Sequence, residues 1–204
     1  MQLPVPPTPD QRSVEILASV RQAFVEKGFD GASMQDLARA AGMSVGNFYR
    51  YFPSKSAIVH ALIEYDLADI HNVFQAILAA PRPMLALREG LRHRIDGTVH
   101  DHDPDLWSEI EAVARRSPEI GAAAQRMEQG VAGLLTAVFA AETGLTQDEA
   151  TRRFSASAAF LVMLFKSASC LSCNRGSDQS ELKAMIIRTI DQTLDDVITS
   201  AQKA

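Results

Sequence analysis

The sequence predicts an all-α protein, with an N-terminal three-helix helix-turn-helix domain followed by a larger helical body. Three observations carry this prediction. Apolar residues recur every three or four positions through nearly the whole chain, and no segment alternates as a half-buried strand would. Helix-starting Ser, Thr and Asp and helix-ending Gly and Pro punctuate that pattern at regular intervals. With 204 residues, 47% hydrophobic and 22% charged, the chain is long and apolar enough to bury a core, which excludes disorder as its dominant state.

The first helix is expected from about Asp10 to Lys27, striped by Val14, Leu17, Val20 and Phe24 and stopped by Gly28. Ser33 then caps a short helix, with Asp36 at capping-box spacing, ending near Gly42. Ser44 caps a second short helix through Phe52, where Pro53 forbids extension. Ser54 opens a long helix that lasts until Pro81. Met84, Leu87, Leu91 and Ile95 mark the next one. Asp103-Pro104 and Ser117-Pro118 each pair an N-cap with a proline at the first helical position. The helix after Ser117 ends before Gly144. Thr146 and Glu149 have capping-box spacing ahead of a helix of roughly 27 residues, or about 40 Å. The last helix runs from about Asp178 to Ser200, giving about nine in all.

Composition narrows the function classes. Two cysteines cannot build a disulfide framework. No apolar run approaches the ~18 residues of a membrane span, the greasiest stretch, Ala156–Phe165, stopping at Lys166. The opening MQLPVPPTPD has neither a basic nor an apolar signal-peptide region. A soluble cytoplasmic protein is therefore expected, with no membrane partner and with residues 1–9 as a Pro-rich flexible tail. The net charge is −5, yet residues 1–55 are +1 and the remainder −6. That asymmetry suits a small basic reader joined to an acidic body.

The two short helices, Ser33–Ala41 and Ser44–Phe52, are separated by Ala41-Gly42-Met43, with Gly42 free to adopt a positive φ. This is a helix-turn-helix, whose second helix enters a DNA major groove by its N-terminal end. Phe48 and Phe52 are expected inside, and Val45, Gly46, Asn47, Tyr49 and Tyr51 on outer surfaces. Gly46 costs ~1 kcal/mol relative to Ala within a helix. Close approach to bases or phosphates offsets that cost, although the first turn of a helix also tolerates Gly. Ser44 can cap the helix and still meet a phosphate at its positive end. Tyr49 and Tyr51 suit either DNA contact or partial core packing.

The string GFDGASMQDLARAAGMSVGNFYRYFPSKSAIVHAL resembles the N-terminal DNA-binding domain of TetR-family transcriptional regulators, over about Ile16 to Leu62. Gly28-Phe29, Ser33, Leu37-Ala38 to Ala41-Gly42, Phe48-Tyr49-Arg50-Tyr51-Phe52 and Lys55 carry the resemblance. It implies phosphate contacts for Ser33, Ser44, Tyr51 and Lys55, and base edges for Val45 and Gly46. Asn47 matches a phosphate or base contact, and Tyr49 an aromatic packed on the backbone or a thymine methyl. Val45 departs from the polar residue some members carry and can read only a methyl group or nothing. Arg50 is expected to face phosphate or solvent.

The resemblance also implies a domain for DNA binding over residues 10–55 and a helical domain for effector binding and dimerisation over 56–204. Homodimerisation is expected through the last two helices, because the long one is apolar nearly all round. Phe154, Ala158, Leu161, Phe165, Leu182, Ile186 and Ile190 are the interface candidates. Phe74, Leu91, Ile95, Trp107, Ile110, Met127, Val131 and Met163 are candidates for a pocket holding an unknown small apolar or amphipathic effector. The expected function is a ligand-responsive repressor that binds double-stranded operator DNA.

No cofactor and no metal are expected. His100, Asp101, His102 and Asp103 are ligand types, but they read as a solvated loop. Cys170 and Cys173 form a CxxC without further thiolate or imidazole partners close by in sequence. A redox- or metal-sensing regulator, or a helical interaction module, is the alternative. No phosphate loop, Glu-x-x-His pair or dinucleotide fingerprint occurs.

Overall fold

The computed structural model of the chain describes residues 11–96, 104–169 and 179–202. Among them are nine helices: α1 (Gln11–Gly31), α2 (Met34–Ala40), α3 (Val45–Tyr51), α4 (Lys55–Ala79), α5 (Pro83–Ile95), α6 (Pro104–Ala114), α7 (Pro118–Thr143), α8 (Gln147–Ser169) and α9 (Gln179–Gln202). His100, Asp101, His102, Asp103, Cys170 and Cys173 lie outside the described residues, as does the end of the helix expected after Thr146. Among the described residues, no group of three His, Cys, Asp or Glu could hold a metal ion, and no helix is long and apolar enough to cross a membrane.

The punctuation makes capping contacts at the starts of α4 and α8. Ser54 accepts the Ala57 amide at 3.1 Å and so caps α4. Thr146 accepts the Glu149 amide at 3.2 Å. The reciprocal half of that expected box is replaced, because Arg152 and Arg153 hold the Glu149 carboxylate and lower its pKa.

The described residues of 1–69 and 103–127 form one compact unit, and those of 70–102 and 128–204 the other. The first unit thus groups α6 with the N-terminal helices. Ile16, Leu17, Val20 and Phe24 of α1, Leu37 of α2, Phe48 of α3 and Ile58 and Leu62 of α4 are buried in it, with Leu106, Ile110 and Val113 of α6. The buried Asp66 carboxylate of α4 pairs with the Arg21 guanidinium of α1. Arg21 also lies 5.8 Å from the centre of the Tyr65 ring.

In the second unit α5, α8 and α9 pack on one another. Phe139 of α7 meets Phe154 of α8 edge-on, with ring centres 6.1 Å apart. Arg88 donates to Asp191 at 3.0 Å and to Asp195 at 2.5 Å, and Arg92 reaches Asp191 at 2.5 Å, tying α5 to α9. Gln147 donates to the buried Thr136 hydroxyl at 2.9 Å, anchoring the start of α8 on α7.

The expected dimer interface needs correction at four positions. Phe154, Ala158, Leu161 and Ile190 are buried within their own chain, on the stripe that packs the second unit. Phe165, Leu182 and Ile186 are half-buried. The outward face of α8 is instead Ala156, Ala159, Phe160 and Met163, with Met185 outward on α9. The apolar all-round character of α8 was legible; which side its own chain covers was not.

Candidate nucleic-acid interface

The helix-turn-helix is set by three local devices. Ser33 accepts the Asp36 amide at 3.1 Å while the Asp36 carboxylate accepts the Ser33 amide at 3.0 Å, which completes a capping box on α2. Lys27 donates to Asp36 at 2.6 Å. These contacts, Lys27 first and then Ser33, hold the Asp36 carboxyl well below its ordinary range. At the other end of α2, Gly42 takes φ 64°, with its amide on Arg39 O at 3.0 Å and the Met43 amide on Ala38 O at 2.9 Å. That is a Schellman closure, and it turns the chain directly into α3. Ser44 caps α3 through the Asn47 amide at 3.4 Å.

Phe48 and Phe52 face inward, with ring centres 5.8 Å apart. They fix which side of α3 remains outside. Ser44, Val45, Gly46, Asn47, Tyr49, Arg50 and Tyr51 are all exposed. The side chains of Asn47, Tyr49, Arg50 and Tyr51 make no hydrogen bond to the described residues, so their polar groups are available. Asn47, Arg50 and Tyr51 line a shallow notch of about 280 Å³ on this face. A Cβ added at Gly46 would meet nothing within 4 Å, so the chain's own packing does not require glycine there. The surface combines exposed amide, phenol and guanidinium donors with one helix N-terminus, which is the chemistry that meets phosphates and base edges.

Two expected phosphate contacts stand differently in the structure. The Ser33 hydroxyl donates its single proton to Asp36 at 2.5 Å, so a phosphate oxygen has to displace that carboxylate. Ser44 keeps its proton without an acceptor among the described residues. Lys55 donates to the carbonyls of Phe29 at 2.6 Å and Asp30 at 3.3 Å, with its ammonium 4.8 Å from the Phe29 ring centre. Two of its three donors are therefore spent inside the domain. The free phosphate ligand expected at Lys55 is corrected to a residue that anchors the end of α1 and has one donor left.

The expected effector residues fall in both units. Trp107, Ile110 and Met127 belong to the first unit, and Phe74, Leu91, Ile95, Val131 and Met163 to the second. Phe74, Ile95, Ile110 and Met127 are buried, while Leu91, Trp107 and Val131 are half-buried. Met163 is 56% exposed. A second shallow depression, of about 410 Å³, lies on α9 among Met185, Arg188, Thr189, Gln192 and Thr193, and includes none of the eight.

Comparison with known proteins places this geometry in a class. Residues 16–62 match the sequence profile of the bacterial regulatory proteins of the tetR family. Over 87 residues the chain is 37% identical to the HTH-type transcriptional regulator EthR of Mycolicibacterium smegmatis, covering 42% of this chain and 40% of that protein. It is 30% identical over 80 residues to the HTH-type transcriptional repressor KstR2 of Rhodococcus jostii, covering 39% of each. The chain thus spans less than half the length of these curated relatives. Among solved structures, Salmonella enterica GusR matches 94% of this chain and 97% of its own, with TM-score 0.67 at 22% identity, and so shares the fold. A putative transcriptional regulator from Pseudomonas aeruginosa matches with TM-score 0.68, also at 22% identity, over 97% of this chain and 95% of its own. The match to the tetR family of bacterial regulatory proteins thus covers the helix-turn-helix segment, residues 16–62, while the likeness over the whole chain is one of fold.

Proposed function

We propose that the chain is a DNA-binding transcriptional repressor that reads operator DNA as a homodimer in the cytoplasm and is released by a small apolar or amphipathic molecule. The observation that carries this reading is the outer face of α3, where the Ser44 hydroxyl proton and the uncommitted side chains of Asn47, Tyr49, Arg50 and Tyr51 surround a glycine that the fold does not require. Gly46 lets the helix backbone approach base edges, and the donors around it meet phosphates. Repression is supported by the name of the relative KstR2.

Dimerisation is assigned to the outward face of α8 and α9, with Phe160, Met163 and Met185 at its centre. These three are 37%, 56% and 50% exposed, a large apolar exposure for adjoining helices of one chain. Residues 10–55 serve DNA binding and 56–204 serve effector binding and dimerisation. Effector and DNA then weaken each other's binding by the same factor. Selection of duplexes from a random pool by the full chain, followed by release with a panel of apolar compounds, tests the reading. Recovery of a two-fold symmetric site is expected, and failure to enrich any sequence overturns it.

A further inference from the structure

The end of α1 is broken by a left-handed corner at Gly28, with φ 69° and ψ 166°. Three groups distant in sequence converge on the residues just after it. The Phe29 amide donates to the Glu109 carboxylate of α6 at 3.1 Å, across 80 positions of chain. The Phe29 and Asp30 carbonyls take the Lys55 ammonium at the start of α4. The Asp30 carboxylate pairs with Arg116 at 2.5 Å, an exposed bridge that adds little alone. A Cβ on Gly28 would stand at ordinary contact distance, 3.4 Å, from the same Glu109 oxygen, so it is the corner's positive φ that calls for glycine here. The Phe24 and Phe29 rings stack with centres 5.8 Å apart, which returns the chain to the α1 core beyond the corner.

We propose that Glu109 is a positioning residue for DNA recognition, acting from α6 through the Gly28–Phe29 corner. The carboxylate holds the Phe29 amide; the carbonyl of the same residue, one peptide group further on, is the seat of Lys55; and Lys55 opens the helix that leaves α3. The recognition helix is thus braced at its exit by a chain of hydrogen bonds that begins outside the helix-turn-helix. Glu109 touches no DNA in this account. It sets where α3 stands, and its effect on affinity is independent of phosphate charge. The inference rests on the DNA-binding reading above.

The test uses the full chain, the duplex it selects from a random pool, and the variants Glu109→Ala and Glu109→Gln. Glu109→Ala is expected to weaken binding of the folded protein to that duplex by about tenfold. The salt dependence of binding should stay unchanged, since no phosphate contact is lost. Glu109→Gln keeps a carbonyl acceptor for the Phe29 amide and should bind within about threefold of the unmodified chain. Hydrogen exchange at the Phe29 amide should be slow in the unmodified chain and in Glu109→Gln, and fast in Glu109→Ala. A residue with a merely structural role would lower thermal stability and the active fraction while leaving the affinity of folded molecules intact. Rapid exchange at Phe29 in the unmodified chain, Glu109→Ala binding at full affinity, or Glu109→Gln as weak as Glu109→Ala each overturns the positioning role. If Glu109→Ala does not fold, the glutamine variant and Phe29 exchange still decide. If the unmodified chain selects no duplex, the DNA reading itself has failed and the positioning role fails with it.

Discussion

Asp36 concentrates the electrostatics of the helix-turn-helix in one carboxylate. It takes Lys27, the Ser33 amide and the Ser33 hydroxyl, and its pKa is held below the ordinary 3.8. A depressed carboxylate contributes stability above its unfolded pKa and loses it as the pH falls through the folded value. The difference in urea midpoint between the unmodified chain and Asp36→Asn should therefore be full at pH 6 and shrink as the pH drops below 3.8. A constant difference from pH 6 to pH 2 would show that the ion pairing is not the source. Lys55 gives a second prediction at this scale. With its ammonium on two carbonyls, Lys55→Ala should cost about 1 kcal/mol of stability and reduce the salt slope of DNA binding by at most one unit. A lowered slope with unchanged stability would restore the plain phosphate role implied by the family resemblance. The sequence alone could not distinguish these, because the Phe29 and Asp30 carbonyls are brought to Lys55 by the corner at Gly28.

At the scale of helices, the caps were legible and the partners across the chain were not. Ser33, Ser44 and Ser54 announce their helices within three residues, and Gly42 announces the turn, because each device is local. Arg21–Asp66 and Phe29–Glu109 join α1 to α4 and to α6, and no spacing rule connects residues 45 or 80 positions apart. Asp66 in particular sits mid-helix in a sequence that reads as an ordinary polar position, yet it is 2% exposed. Its pairing with Arg21 predicts that Asp66→Ala, which leaves a mostly buried guanidinium uncompensated, destabilises the chain by about 3 kcal/mol, measured by chemical denaturation. A change below 0.5 kcal/mol would mean that water or another group replaces the carboxylate. The same limit explains the misplaced dimer stripe. Periodicity identified α8 as a helix with two apolar sides, but only packing shows that Phe154, Ala158 and Leu161 serve the chain itself. Residue type alone marks the effector candidates, and they fall in both compact units.

For the whole molecule, the outward side of α8 and α9 replaces the buried stripe as the surface to test. Met163→Glu should shift sedimentation from dimer to monomer at micromolar concentration while the helical signal is retained. Phe165→Glu, placed on the half-buried side, should lower thermal stability instead. Dimers that persist in Met163→Glu would remove this face from the account.

The central claim is that α3 reads DNA through a backbone brought close by Gly46. Equilibrium binding of the unmodified chain and of Gly46→Leu to the selected duplex and to a random duplex, across a salt titration, tests it most directly. Leucine is the better helix former and its Cβ meets no neighbour at this position, so thermal stability should be equal or higher by up to about 1 kcal/mol. Its side chain should nevertheless hold the helix off the groove, reducing affinity for the selected duplex to that for random DNA. Normal, sequence-selective binding by a folded Gly46→Leu chain would contradict the account, since α3 would then not be the element that reads the operator.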